Sequence, residues 1–282
     1  MGVRKLQPFR PRRFSETSEV LPKEKTMSTP HLFTSDVAKA VGVHPNTVRL
    51  YEEWGFLPPI PRSAGGYRLF TQAHIDQMRL ARTSLRGPWP GRKIKESALA
   101  LVRQAASGDL GGALEQAYLY QALIRAERAQ ADAAAEFVER WAQGAAADAT
   151  AKPLQIGAVA RLLDVTTDML RNWERNGLLH VPRNPHNGYR LYGAAEIGRL
   201  RVIRMLSRAG YGMMAILRTL LQLDQDEGAD LRHALDTPRP DESEDVAFRP
   251  AADQWLSTLA ELEQRAQSII AQLEKMIGMR QT

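Results

Sequence analysis

Two stretches of this 282-residue chain gather arginine, aromatic and small polar side chains suited to a polyanion. The first holds His44, Asn46, Thr47, Arg49 and Tyr51, then Arg62, Tyr67 and Arg68. The second holds Thr166, Thr167, Arg171 and Trp173, then Arg183, Tyr189 and Arg190. A guanidinium pairs bidentately with phosphate oxygens or with a guanine edge, and an Asn amide does the same with adenine. Threonine contacts base edges or a thymine methyl. Internal roles compete with these. Glu52 and Glu174 are expected to pair with a nearby Arg, because a carboxylate repels phosphate. Arg49 and Arg68 are expected to contact nucleic acid, because arginine recurs in the same context as Arg171 and Arg190. Tyr51 and Tyr67 divide evenly between packing and contact.

The elements that must position these groups are duplicated. Residues 33–85 align without a gap on 155–207, with 15 of 53 positions identical. The densest match is Gly66-Tyr67-Arg68-Leu69 against Gly188-Tyr189-Arg190-Leu191. Two copies 122 residues apart are two domains of one kind, not a solenoid. Each copy reads as short helix, turn, short helix. Thr34 or Ser35 is expected to cap a first helix carrying Val37, Ala38 and Val41, which Gly42 ends. Pro45 suits the first turn of a second helix, where its missing N–H costs nothing. Gly65-Gly66 allow a tight hairpin before Tyr67, and a helix with Ile75, Met78 and Leu85 inward follows. The second copy departs from the first: Asn46 becomes Asp168, Thr47 becomes Met169 and Tyr51 becomes Trp173. The gapless alignment sets Asn184 against Arg62, with Arg183 one residue away. The second copy is therefore expected to read a different half-site or to bind more weakly.

Charge is distributed unevenly. The net charge of +6 divides into +4 on residues 1–30, −7 on 224–248 and +9 on the rest. The proline-bearing basic tail cannot bury a core and is expected to be disordered; Met27 is a possible internal start. The acidic stretch reads as a solvated linker with one short helix near Leu231–Leu235. The chain has no cysteine, which excludes disulfides, thiolate metal sites and thiol nucleophiles. Its six histidines make no i, i+4 ligand pair, so no metal or other cofactor is expected. Gly-rich phosphate loops, nucleophile elbows and paired catalytic carboxylates are not found, so an enzyme is not expected. No apolar run reaches the length of a membrane span, and the basic start lacks the apolar core of a secretory signal.

Val-Arg-Leu-Tyr-Glu-Glu-Trp-Gly-Phe-Leu (48–57) followed by Gly-Tyr-Arg-Leu-Phe (66–70) resembles the MerR-family DNA-binding domain. Leu-Arg-Asn-Trp-Glu-Arg-Asn-Gly-Leu-Leu (170–179) followed by Gly-Tyr-Arg-Leu-Tyr (188–192) repeats it. Leu206–Tyr211 is also family-like. The resemblance covers about half the chain. It implies a mainly α fold with two winged helix-turn-helix domains, each carrying a small two-stranded wing. It also implies a transcription regulator that distorts promoter DNA, with double-stranded DNA and RNA polymerase as partners, in the cytoplasm at the nucleoid. A DNA-architectural or recombination-directionality protein is the alternative.

Long helices follow each copy. Positions 110, 114, 117, 121, 124, 128, 131, 135, 138 and 142 form one seam, with Gln121 and Arg128 as its polar members. Trp255, Leu259, Leu262, Ala266, Ile269, Leu273 and Met276 form an unbroken second one. Family members dimerise through such a helix, packed antiparallel. The expectation is therefore an antiparallel coiled coil of helices 110–142 and 252–279, as a single-chain pseudo-dimer or as a homodimer. Tyr118, Tyr120, Trp141 and Trp89 are expected in the core or an interface rather than an effector pocket. The domain plan is a tail (1–30), domain 1 (31–92), a helical connector (93–150), domain 2 (151–222), an acidic linker (223–250) and a C-terminal helix (251–282).

Overall fold

The computed structural model describes residues 31–87, 91–144, 152–226, 228–238 and 251–281. The expected disordered tail, Trp89 and residues 239–250 of the acidic stretch lie outside the described residues. The fold is mainly helical. The first copy supplies α1 (Thr34–Val41), α2 (Pro45–Glu53) and α3 (Gln72–Leu85), then α4 (Arg92–Ala106) and the long α5 (Leu110–Ala142). The second supplies α6 (Ile156–Leu163), α7 (Thr167–Arg175), α8 (Ala194–Arg208) and α9 (Met213–Gln225). A short α10 (Leu231–Asp236) and the long α11 (Trp255–Gln281) complete it.

Local chemistry sets the helix ends. Thr34 and Ser35 lie inside α1; Phe33 is its N-cap residue, and the Asp36 carboxylate accepts from the Phe33 N–H at 2.8 Å. The expected hydroxyl cap is thus replaced by a carboxylate reaching back from the first turn. Gly42 ends α1 at φ +68°, a left-handed backbone suited to glycine. The second copy places Asp164 there at φ 49°. The conserved spacing extends to the arginine that holds this turn. Arg82 Nη1 donates to the carbonyls of Val41 and Gly42. Arg204, 122 residues later, lies 3.8 Å from the Asp164 carboxylate, joined there by Arg208 at 3.0 Å.

Between α2 and α3 the chain forms a tight hairpin with a single bridge, Arg62 to Arg68. The corresponding bridge in the second copy is Arg183 to Arg190. Among the described residues neither hairpin extends into a regular strand pair. Pro58, Pro59 and Pro61 explain part of this, since proline gives no ladder N–H. A second bridge closes each unit: Leu32 to Phe70, and Leu154 to Tyr192.

The long helices organise the body. Arg125 and Arg128 of α5 both reach Glu263 of α11, at 2.9 and 2.8 Å, and hold its carboxyl below the usual carboxylate range. Tyr118 donates to Glu274 at 3.3 Å, and Arg280 near the end of α11 donates to the Gly108 carbonyl before α5 at 2.8 Å. Those pairings fix the two helices antiparallel. Every residue of the C-terminal seam is buried, and so are most of those on α5. The chain breaks at residues 107–109 between α4 and α5, and Gly111 and Gly112 lie within the first turn of α5. Tyr120 is buried, Tyr118 is exposed, and the Trp141 indole lies against Gly198.

The described part of the acidic stretch is not a free linker. Leu231, Ala234 and Leu235 of α10 are buried. Arg218 of α9, itself buried, donates to the carbonyls of Ala234, Leu235 and Asp253. Arg232 pairs with Asp132 on α5 at 2.6 Å. Apolar burial plus a buried guanidinium on three carbonyls secures the segment that composition alone made look solvated.

Candidate nucleic-acid interface

Helix α2 begins at His44, whose Nδ1 accepts from the Asn46 N–H at 3.2 Å, with Pro45 in the first turn. The capped end leaves Asn46 and Arg49 exposed on one face, and Arg49 Nη1 donates to Asn46 Oδ1 at 3.2 Å. Thr47 is half-buried between them. Helix α7 begins at Thr166, whose hydroxyl accepts from the Met169 N–H at 3.1 Å; Thr167 is half-buried. Here Arg171 pairs with Asp168 at 2.8 Å. The two arginines stand at equivalent positions, but one leans on a neutral amide and the other on a carboxylate.

The hairpins sit beside these helices through a duplicated cluster. Arg68 Nε lies 2.6 Å from Glu52 Oε2, and Arg190 Nε lies 2.6 Å from Glu174 Oε2. Arg62 approaches the same Glu52 at 3.7 Å, and Arg183 approaches Glu174 at 4.0 Å. Arg62 also donates to the Gly66 carbonyl at 3.3 Å, as Arg183 does to Gly188 at 3.4 Å. Each carboxylate at the end of a recognition-type helix thus ties down two hairpin arginines. The expectation that Glu52 and Glu174 pair internally matches this arrangement. It gives Arg68 and Arg190 an internal partner that the sequence reading ranked second.

One alignment needs correction. Leu69 N–H meets the Pro61 carbonyl as Leu191 N–H meets Pro182, and Ser63 pairs with Tyr67 as Asn184 pairs with Tyr189. Arg183, not Asn184, therefore stands where Arg62 does. The second copy has one residue fewer before this arginine and one more in the turn, so the two shifts cancel in a gapless alignment. Tyr67 and Tyr189 cap the hairpins at 69% and 62% exposure, free of the body.

Trp173 is also corrected. Expected beside the other contact residues, it is only 4% exposed and packs in the main core, where it has almost no surface to offer. Tyr51, its counterpart, is half-buried against Trp54 and Phe56, and burial raises its hydroxyl pKa. Arg82, which the motif reading passed over, holds the turn that leads into α2 through the Val41 and Gly42 carbonyls; its signal was identity with Arg204 in the repeat.

The description "MerR HTH family regulatory protein" matches residues 154–223, and "MerR family regulatory protein" matches 34–70. The chain carries two MerR-family domains. The HTH-type transcriptional regulator CueR of Escherichia coli O6:H1 is 46% identical over 48 residues, covering 17% of this chain and 36% of that protein. The mercuric resistance operon regulatory protein of Serratia marcescens is 35% identical over 71 residues, covering 25% and 49%. Its Shigella flexneri counterpart is 34% identical over 71 residues, covering 25% and 49%. The chain thus spans less than half the length of these curated relatives. No solved structure matches it. In one unit Arg49 meets Asn46 on α2 while Arg62 and Arg68 meet at Glu52; in the other Arg171 meets Asp168 on α7 while Arg183 and Arg190 meet at Glu174. Among the described residues no helix is long and apolar enough to cross a membrane.

Proposed function

We propose that this chain is a sequence-specific DNA-binding transcription regulator in which one polypeptide supplies both halves of a MerR-type dimer. The observation that supports this most is reciprocal packing. Gln272 of α11 reaches the Asp76 carbonyl of the first unit at 3.4 Å. Trp141 of α5 lies against Gly198 of the second unit, where an added Cβ would come within 3.3 Å of its Nε1. Residues 76 and 198 are 122 apart, so each long helix touches the equivalent point on the opposite unit. That is the relation a two-fold axis imposes on a dimer, here within one chain.

In this reading α2 and α7 enter successive major grooves, and Asn46, Thr47, Arg49 and Arg171 face base edges and phosphates. Arg62, Tyr67, Arg183 and Tyr189 lie along the backbone as wings. The operator is an imperfect palindrome in promoter DNA, distorted on binding, with RNA polymerase as the protein partner at the nucleoid of the cytoplasm. The deciding experiment is footprinting on genomic fragments with mass measurement of the complex. One chain per site, protecting two half-sites a whole number of helical turns apart, is the expected result. Two chains per site would replace the pseudo-dimer with a homodimer. Protection confined to recombination sites or spread over bulk DNA would replace the regulator with an architectural protein.

A further inference from the structure

We infer that a cavity behind the recognition-type helix of the first unit binds a small multivalent phosphate anion. It lies between the end of α1, α2 and the second half of α3, with a volume of about 520 Å³. Arg79, Arg82 and Arg86 line it together with Val41, Tyr51 and Thr83, and the residues lining it include no carboxylate. Spacings of three and four residues set the three guanidinium stems along one face of α3 and its C-cap.

The arginines are not equally committed. Arg79, 44% exposed, shares its charge with Asp76 at 3.2 Å. Arg82 gives its Nη1 to the Val41 and Gly42 carbonyls. Arg86 is exposed and meets no acceptor among the described residues. The Tyr51 hydroxyl is also without a partner among them, and the Arg82 charge reaches it, opposing the rise in its pKa that burial causes.

The second unit shows what these positions hold when they are satisfied. Gly42 is replaced there by Asp164, Arg82 by Arg204 and Arg86 by Arg208, all at the same offset of 122. The Asp164 carboxylate lies 3.8 Å from Arg204 and 3.0 Å from Arg208. The second unit therefore carries a built-in anion where the first has glycine. A Cβ added at Gly42 would stand 3.8 Å from Arg82 Nη1, so the missing carboxylate would belong beside these arginines. Guanidiniums that one copy satisfies with its own carboxylate are left in the other for an anion from solution. Guanidinium forks match phosphate oxygens, and three of them favour a ligand with more than one negative charge. The DNA backbone is the other source of phosphate, and position argues against it. Tyr51 follows Arg49 by two residues, about 200° around α2. The cavity that Tyr51 lines is thus on the other side of the helix from Asn46 and Arg49.

Calorimetry on the full chain at fixed ionic strength tests this, with pyrophosphate as the probe and acetate as the monovalent control. Pyrophosphate should bind with a stoichiometry of one, and acetate at least about tenfold more weakly. Arg86→Ala should weaken pyrophosphate binding about tenfold, the worth of one charge-assisted hydrogen bond, with the circular dichroism spectrum unchanged. Gly42→Asp should install the second unit's carboxylate and abolish binding. Gly42→Asn, which accepts the same left-handed backbone without the charge, should retain it. No saturable binding of pyrophosphate, equal binding of acetate, undiminished binding in Arg86→Ala or Gly42→Asp, or an equal loss in Gly42→Asn would each overturn the site. Weaker DNA binding by Arg86→Ala, with no pyrophosphate binding by the wild type, would assign that arginine to the DNA backbone and overturn it too. The pyrophosphate titration needs no DNA, so its failure leaves the regulator reading untouched.

Discussion

The two repeated units have the same fold but are attached to the body differently. In the first, Val37, Ala38, Val48, Leu57, Phe70, Ile75 and Met78 form a small core of their own. Their counterparts in the second, Val159, Ala160, Leu170, Leu179, Tyr192, Ile197 and Leu200, belong to the continuous main core. The residue that most separates the two is at the recognition-type helix. Tyr51 is half-buried and touches both clusters, whereas Trp173 is buried in one. A duplicated sequence can thus yield one unit merged with its scaffold and one that keeps a core of its own. On the exposed helix face of the first unit, Arg49 leans on the neutral Asn46 amide, whereas in the second Arg171 pairs with the Asp168 carboxylate.

Breaking that anchor should have the largest effect. Trp173→Ala removes a buried aromatic and should cost about 3–5 kcal/mol in denaturant unfolding. Tyr51→Ala, at a half-exposed site, should cost less than half as much. Trp173→Phe should keep DNA affinity within about twofold, since a side chain this buried cannot reach DNA. A Trp173→Phe protein of normal stability that lost DNA binding would return Trp173 to the interface.

The next contrast is between the two exposed arginines on the faces proposed to meet DNA. Arg49→Ala should weaken DNA binding by about 1–3 kcal/mol, or change the salt slope by about one if its partner is a phosphate. Arg171→Ala should do less, because Asp168 already neutralises that guanidinium at 2.8 Å. A larger loss at Arg171 would invert the ranking of the two units. Asp168→Asn sharpens the point. It reproduces the first unit's amide–guanidinium pair and removes a carboxylate from a phosphate-lined groove, so it should tighten binding by about 1 kcal/mol. Asn46→Asp should have the opposite sign. Equal effects of both on a symmetric operator would mean that neither position faces DNA.

How much of this was legible in the sequence depends on how local the cause is. Helix ends written by glycine and proline, such as Gly42 and Pro45, were readable because those residues constrain the backbone directly. The seams of α5 and α11 were readable because burial repeats along a helix. Arg183 was misplaced by one residue because two compensating shifts leave no trace in a gapless alignment. Trp173 was misassigned because motif position fixes where a residue sits on a helix, not whether a neighbouring helix covers it. The role of Gln77 and the burial of α10, whose helix itself was expected near Leu231–Leu235, were missed for a related reason. Their roles depend on carbonyls of Phe56 and Val102, or of Ala234 and Leu235, which come near only when distant segments pack.

The smallest contrast lies at the start of the third helix of each unit, and it is set by pH. In the first, the buried His74 ring accepts at Nδ1 from the Thr71 N–H at 3.0 Å, while Nε2 faces the Pro59 carbonyl at 3.5 Å. An imidazole that accepts at Nδ1 must be neutral, and burial holds the His74 pKa below its ordinary value, with the Pro59 contact opposing weakly. In the second unit Glu196 does the same work, accepting from the Gly193 N–H at 2.8 Å. The folded pKa of His74 lies below the unfolded one, so the unfolded chain takes up its proton first as pH falls. The stability from the neutral ring is complete above about pH 6.5 and is lost as pH drops through the folded value. Chemical denaturation followed from pH 7.5 to 5 should therefore show a loss in the wild type, with amide exchange locating it in α3 rather than α8. His74→Glu should carry the second unit's cap into the first and flatten that dependence, because carboxylates protonate about two pH units lower than imidazole. An unchanged pH dependence in His74→Glu would show that another group carries it and that the two caps are equivalent.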